Sequence, residues 1–164
     1  MKTARIFPAI ITLITFFVLT GFSGANAPGS EHDGANNMML EDVSSHSFDE
    51  TVEAFEQKVA EAGWSIITVH DMSATLNRHG HDVASVKVFE LCSARYSVEI
   101  LKHDDERIIS ALMPCRVSIY KKSDGRTYIS RMDNEAFARP FGGVIHEVMT
   151  QAAADIEEII AEVI

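Results

Sequence analysis

The sequence predicts a single α+β domain, a mainly antiparallel four-stranded sheet with helices packed on one face, and three observations carry that reading. Ser47 and Glu50 form a capping-box pattern in front of an apolar helical stripe. Val83 to Leu91 alternates between two sides as a half-buried strand does. Asp124-Gly125 joins two β-rich runs, and this dipeptide tolerates the positive φ that a tight hairpin turn requires.

Taken in order, Val52, Phe55, Val59 and Ala62 recur on one helical face, and Gly63 supplies a left-handed stop. Trp64 to His70 is rich in β-branched residues and forms the first strand, followed by a short helical possibility at Met72 to Asn77. In the second strand Val86, Val88 and Glu90 share one side, and Lys87, Phe89 and Leu91 the other. Ser93 to Lys102 reads as helix, His103-Asp104-Asp105 breaks and recaps the chain, and Glu106 to Leu112 adds two helical turns that Pro114 ends. Arg116 to Lys122 and Arg126 to Met132 are the third and fourth strands. Asn134 caps a short helix interrupted by Pro140, and Gly142-Gly143 precedes a long terminal helix striped by Ile145, Val148, Met149, Ala152, Ile156, Ile159, Ile160 and Val163.

Ahead of the domain, Lys2 and Arg5 precede an apolar run from Ile6 to Phe22 and the small-residue site Ala25-Asn26-Ala27, the layout of a signal peptide (residues 1–27) cleaved after Ala27. An uncleaved membrane anchor is the competing reading of the same run. Cleavage gives a periplasmic or secreted protein with no stable membrane anchor. Residues 28–46, rich in Gly, Ser, Asn and acidic side chains, read as a flexible polar linker, and residues 47–164 as the folded domain. The formal charge of the chain is −10, and the leader carries only Lys2 and Arg5 as charged residues, so the remainder is more acidic still. Such a surface is repelled by phosphate backbones, which argues against nucleic acid as a partner.

Cys92 and Cys115 are the only cysteines. The segment Val88-Phe89-Glu90-Leu91-Cys92, followed by Leu112-Met113-Pro114-Cys115-Arg116-Val117-Ser118-Ile119-Tyr120 and an Asp-Gly hairpin, resembles the domain of unknown function 302 family of bacteria and archaea, the likeness running from about Ser47 to Ile160. The chain differs from members whose second motif keeps its proline but lacks the cysteine. The resemblance implies a small domain that forms a homodimer, and it implies no reaction. An apolar terminal helix that one small sheet does not fully cover points to the same dimer.

Cys92 ends one strand and Cys115 begins another. An out-and-back helical connection turning at His103 to Asp105 makes those strands antiparallel and puts both thiols on one rim, where a disulfide requires Cα atoms within about 7 Å. Four readings of the pair stand. A structural disulfide, contributing about 3 kcal/mol, leads in an oxidising compartment. A redox or sulfur-handling pair follows, with Arg116 placed to lower the pKa of Cys115. A soft-metal or haem ligand set with Met113 and two unpaired buried thiols complete them. Glu90 is expected to point inward and to meet Arg116, and the supporting rim is therefore Glu90, Arg116 and Met113. His79 and His81, flanking Gly80, are weak candidates for zinc or copper, and no cofactor is predicted outright. The chain has no Gly-rich phosphate loop, G-x-S-x-G, H-E-x-x-H or C-x-x-C-H motif. The leading function is therefore a non-enzymatic binding or interaction module with a cysteine rim.

Overall fold

A computed structural model describes residues 38–164. The expected signal peptide, its cleavage site and the first part of the linker lie outside the described residues. Eleven elements follow one another: β1 (Met39–Ser44), α1 (Phe48–Glu61), β2 (Ser65–Asp71), α2 (Met72–Arg78), β3 (Val86–Cys92), α3 (Ala94–Leu101), a 3₁₀ helix (Asp105–Leu112), β4 (Cys115–Lys121), β5 (Thr127–Met132), α4 (Asn134–Ala138) and α5 (Gly143–Ala161). The strands form one sheet in the order β1-β5-β4-β3-β2, and every neighbouring pair is antiparallel.

The sheet has five strands rather than four, because residues 39–44 of the expected linker pair with β5 along its outer edge. The sequence there, MLEDVS, carries two acidic residues that ordinarily disfavour a strand. Lys122 pairs with Glu41, and Asp42 is met by Arg131. Its guanidinium, only 7% exposed, bonds Asp42 on β1 and is bidentate to Glu157 on α5, with Nε donating to Oε1 at 2.8 Å. The strand is thus fixed by partners distant in sequence.

The helix start at Ser47 forms as the capping box requires: the Ser47 hydroxyl accepts from the Glu50 amide at 3.4 Å, and the Ser47 amide donates to Glu50 Oε2 at 3.0 Å. Gly63 takes φ +73° after α1, and Gly125 takes φ +82° in the β4–β5 turn. One face of the sheet carries the core. Phe89, Leu91, Val117, Ile119 and Ile129 meet Phe55 and Val59 of α1 and Ile156 and Ile160 of α5, and the Phe55 ring stands edge-on to Phe89 at 5.2 Å. A second cluster joins Ile100, Ile109, Ala138, Ile145 and Val148 under the 3₁₀ helix. The apolar stripe of α5 is buried within this one chain, so that helix offers no uncovered face for a dimer. Among the described residues, no helix is long and apolar enough to cross a membrane.

Candidate functional site: a sulfur-lined cavity at the β3–β4 strand ends

The connection from β3 to β4 runs out along α3, turns at residues 102–104, and returns through the 3₁₀ helix, so the strands are antiparallel and Leu91 pairs with Cys115. Both cysteines therefore sit at one end of the sheet, as the break in the sequence predicts. They are nonetheless free thiols, and the expected disulfide is not formed. In the register Cys115 pairs with Leu91 and Cys92 with Ser65 of β2, so the two cysteines are offset by one residue rather than directly opposite each other. The Cys92 sulfur lies 3.4 Å from Ser97 Oγ on α3, and the Cys115 sulfur accepts from Asn134 Nδ2 at 3.9 Å.

The two thiols do share one cavity. It measures about 40 Å³ and is lined by Trp64, Tyr96, Ile100, Val148 and Ala152 together with the sulfur residues Cys92, Met113, Cys115 and Met149. The cavity lies on the seam between the two core clusters, with Trp64, Leu91 and Ala152 belonging to the first and Ile100, Ile109 and Val148 to the second. Met113 and Met149 pack against the second cluster, and Cys115 against the first. Burial pushes the Cys115 thiol up to about 11, with the neighbouring Cys92 raising it further, so Cys115 is a neutral thiol at physiological pH. A space of this size holds an ion or a very small molecule and excludes a porphyrin, for which drug-sized pockets of several hundred Å³ are the relevant scale. The haem expectation therefore has no room here.

The expected rim of Cys92, Cys115, Glu90 and Arg116 is split by the sheet. Arg116 follows Cys115 and so points to the opposite face, where it pairs with Glu90 at 3.3 Å; His70 Nε2 lies 3.2 Å from the same carboxylate oxygen. Glu90 faces away from the core, because Phe89 and Leu91 are the inward residues of β3 and Glu90 alternates with them. Its side chain is 17% exposed because Arg116 and His70 flank it. Arg116, on the far side of the sheet, is therefore not placed to lower the Cys115 pKa as its sequence position suggests. His79 caps α2 and His81 follows in an exposed loop. Among the described residues, no group of three or more His, Cys, Asp or Glu gathers to hold a metal.

Beside the cavity, Asp155 of α5 accepts from Trp64 Nε1 and from the Tyr96 hydroxyl, both at 3.0 Å, and pairs with Arg95. These bonds fix the two aromatic walls, whose rings lie 5.7 Å apart. Ser97 and Asp155 escaped the sequence reading, and Asn134 was expected as a helix cap, a role that Asp133 takes by accepting from the Ala136 amide at 2.9 Å. Met149 sat in the α5 stripe as ordinary core, and nothing local marks it as a neighbour of Cys115. A larger open concavity of about 280 Å³ lies on the uncovered face, lined by Val88, Arg116, Ser118, Ser130 and Met132 among others. It is broad and shallow, and it meets the cysteine cavity only along Leu112 to Cys115.

Fold and site together define a small sheet-and-helix domain with an apolar, sulfur-lined pocket at one end of the sheet. The sequence matches the family described as Domain of unknown function DUF302 over residues 41–163, and the chain belongs to that family. The match begins inside β1, so the strand missed in the sequence is part of the family domain. The crystal structure of an uncharacterized conserved DUF302 protein from Bacillus stearothermophilus has a similar fold, with a TM-score of 0.70 at 15% identity, covering 77% of this chain and 98% of that one. No curated protein matches the chain.

Proposed function

We propose that this chain is an exported, non-enzymatic binding module whose ligand site is the sulfur-lined cavity at the β3–β4 strand ends. The observation that carries the reading is the cavity itself: a void on the seam of two core clusters, with a thiol held neutral by burial where a catalytic thiol would need to be ionised. Neither sulfur has a base beside it. Cys92 meets the Ser97 hydroxyl and Cys115 the Asn134 amide, so neither is activated for thiol exchange. Walls held by the Asp155 bonds pre-organise the site.

Mass spectrometry of protein isolated from its own compartment, first native and then denatured, tests this. The expected result is cleavage after Ala27, two free thiols and a bound mass released on denaturation. Rapid alkylation of Cys115 at neutral pH would favour the thiol-dependent alternative and overturn the binding reading. The proposed homodimer now draws its support from the edge strand β2, where Ile67 is 58% exposed and Val69 is also solvent-facing, continued by the exposed Met72 at the start of α2. Sedimentation showing a monomer at micromolar concentration would remove it.

A further inference from the structure

We propose that the cavity is a cuprous-ion site, with Cys92 and Cys115 as thiolate donors and Met113 and Met149 as thioether donors. The inference rests on the binding reading above and names the chemistry of its ligand. Three stretches of the chain bring four sulfur-bearing residues to the same pocket: the end of β3 with Cys92, the Met113-Pro114-Cys115 segment that opens β4, and the middle of α5 with Met149. Core packing alone does not require four sulfur side chains around one space of about 40 Å³, which is the size of an ion rather than of an organic ligand.

The rest of the lining decides which ion. No carboxylate, imidazole or ammonium lines the cavity, and the Tyr96 hydroxyl is committed to Asp155. Hard cations such as magnesium and calcium find no oxygen cage, and zinc lacks the nitrogen and thiolate set that its tetrahedral sites use. Thiolate and thioether donors select Cu(I) among biological cations.

Binding is ligand exchange without electron transfer. Copper stays Cu(I), its carrier ligand departs, and each thiol that becomes a thiolate donor releases one proton to solvent. Uptake of Cu(I) is therefore coupled to proton release and strengthens as pH rises. The bound ion also occupies the space in which the two sulfurs would otherwise approach and oxidise.

The test is an anaerobic titration of the purified protein with Cu(I) against a chromophoric cuprous chelator, alongside native mass spectrometry and a pH-indicator readout. The expected outcome is one Cu(I) per chain with at least one proton released. Cys92→Ser and Cys115→Ser should each weaken binding by about 100-fold, and Met113→Leu with Met149→Leu by about 10-fold, the scale at which supporting groups tune a metal site. Leucine preserves packing volume, so the methionine pair keeps the test independent of folding. Arg116→Ala, on the other face of the sheet, should leave affinity unchanged. Copper affinity equal in wild type and the double serine variant overturns the site, as does zinc binding as tightly as copper. If the protein ignores Cu(I) but retains a co-isolated small molecule, the copper inference fails and the binding-module reading stands. If it ignores Cu(I) and carries nothing, both fail.

Discussion

The two faces of the sheet carry opposite chemistries although alternate residues of the same strands build them. On the covered face Phe89, Leu91, Cys115, Val117 and Ile119 run in sequence across β3 and β4 and end at the sulfur-lined pocket. On the other, Val86, Val88, Glu90, Arg116, Ser118 and Tyr120 lie under open solvent, with charges at both ends. At one end His70, Glu90 and Arg116 meet, and at the other Glu41, Tyr120 and Lys122. Burial joins the electrostatics there: it pushes the Tyr120 hydroxyl up to about 12, reinforced by its bond to Glu41. Adjacency in sequence separates groups in such a sheet, and adjacency two residues away unites them.

The largest test of that contrast is a pair of truncations one residue apart. Phe89 is fully buried and packed on Phe55, so Phe89→Ala should cost about 3–5 kcal/mol. Val88→Ala, on the uncovered face, should cost less than about 1 kcal/mol. Urea unfolding of both variants measures the difference, and equal losses would mean that the uncovered face is packed against something in solution.

A smaller effect belongs to the residue that ties the edge strand to the helices. Arg131→Ala strands Asp42 and Glu157, but both carboxylates are more than a third exposed and can rehydrate, so the expected loss is about 2 kcal/mol, below that for a fully buried pair. Loss of amide protection in β1, read by hydrogen exchange, should exceed that in β4. Uniform loss across the sheet would contradict the role given to Arg131.

The same contrast explains what could be read beforehand. The capping box at Ser47, the glycine at 63, the Asp-Gly hairpin and the helical turnaround at residues 102–104 are local signals, and each element forms where its residues point. The antiparallel β3–β4 pairing followed from that turnaround alone. β1 was illegible because its acidic residues are compensated from far along the chain, Asp42 by Arg131 and Glu41 by Tyr120 and Lys122. The rim was misread for a different reason: Glu90, Cys92, Cys115 and Arg116 were grouped by proximity in the motifs, while register sends Arg116 and Cys115 to opposite faces. Met149 joins the site through α5, and no periodicity distinguishes it from its neighbours in the stripe.

Arg116 gives a sharper test of that separation with little cost in stability. Its pairing with Glu90 is largely exposed, and Arg116→Ala should destabilise by less than about 1 kcal/mol. The informative readout is Cys115 alkylation against pH. With the guanidinium on the other face, the midpoint near 11 should stay in place in the variant. Because that folded value lies above the ordinary thiol value, the associated stability is present below about pH 8.5 and is lost as pH rises toward 11. A midpoint that climbs when Arg116 is removed would show the guanidinium acting through the sheet.

The smallest effect lies in the hairpin at the far end of the uncovered face. Asp124 accepts from the Tyr128 hydroxyl at 2.6 Å, the Arg126 amide at 2.9 Å and Arg126 Nε at 2.8 Å, and these bonds, Tyr128 first, hold its carboxyl down to about 2. A folded value below the unfolded one, about 3.9, means that the ionised carboxylate stabilises the hairpin. That contribution is present above about pH 4 and is lost as pH falls through 2. Asp124→Asn keeps the turn geometry and removes the charge, so wild type should exceed the variant slightly at neutral pH and converge with it near pH 2. Thermal midpoints measured across that range decide it, and a gap that stays constant down to pH 2 would assign the effect to turn conformation. The turn is open to solvent and screened, unlike the Cys115 cavity, where burial, with the neighbouring Cys92 second, moves the thiol up to about 11.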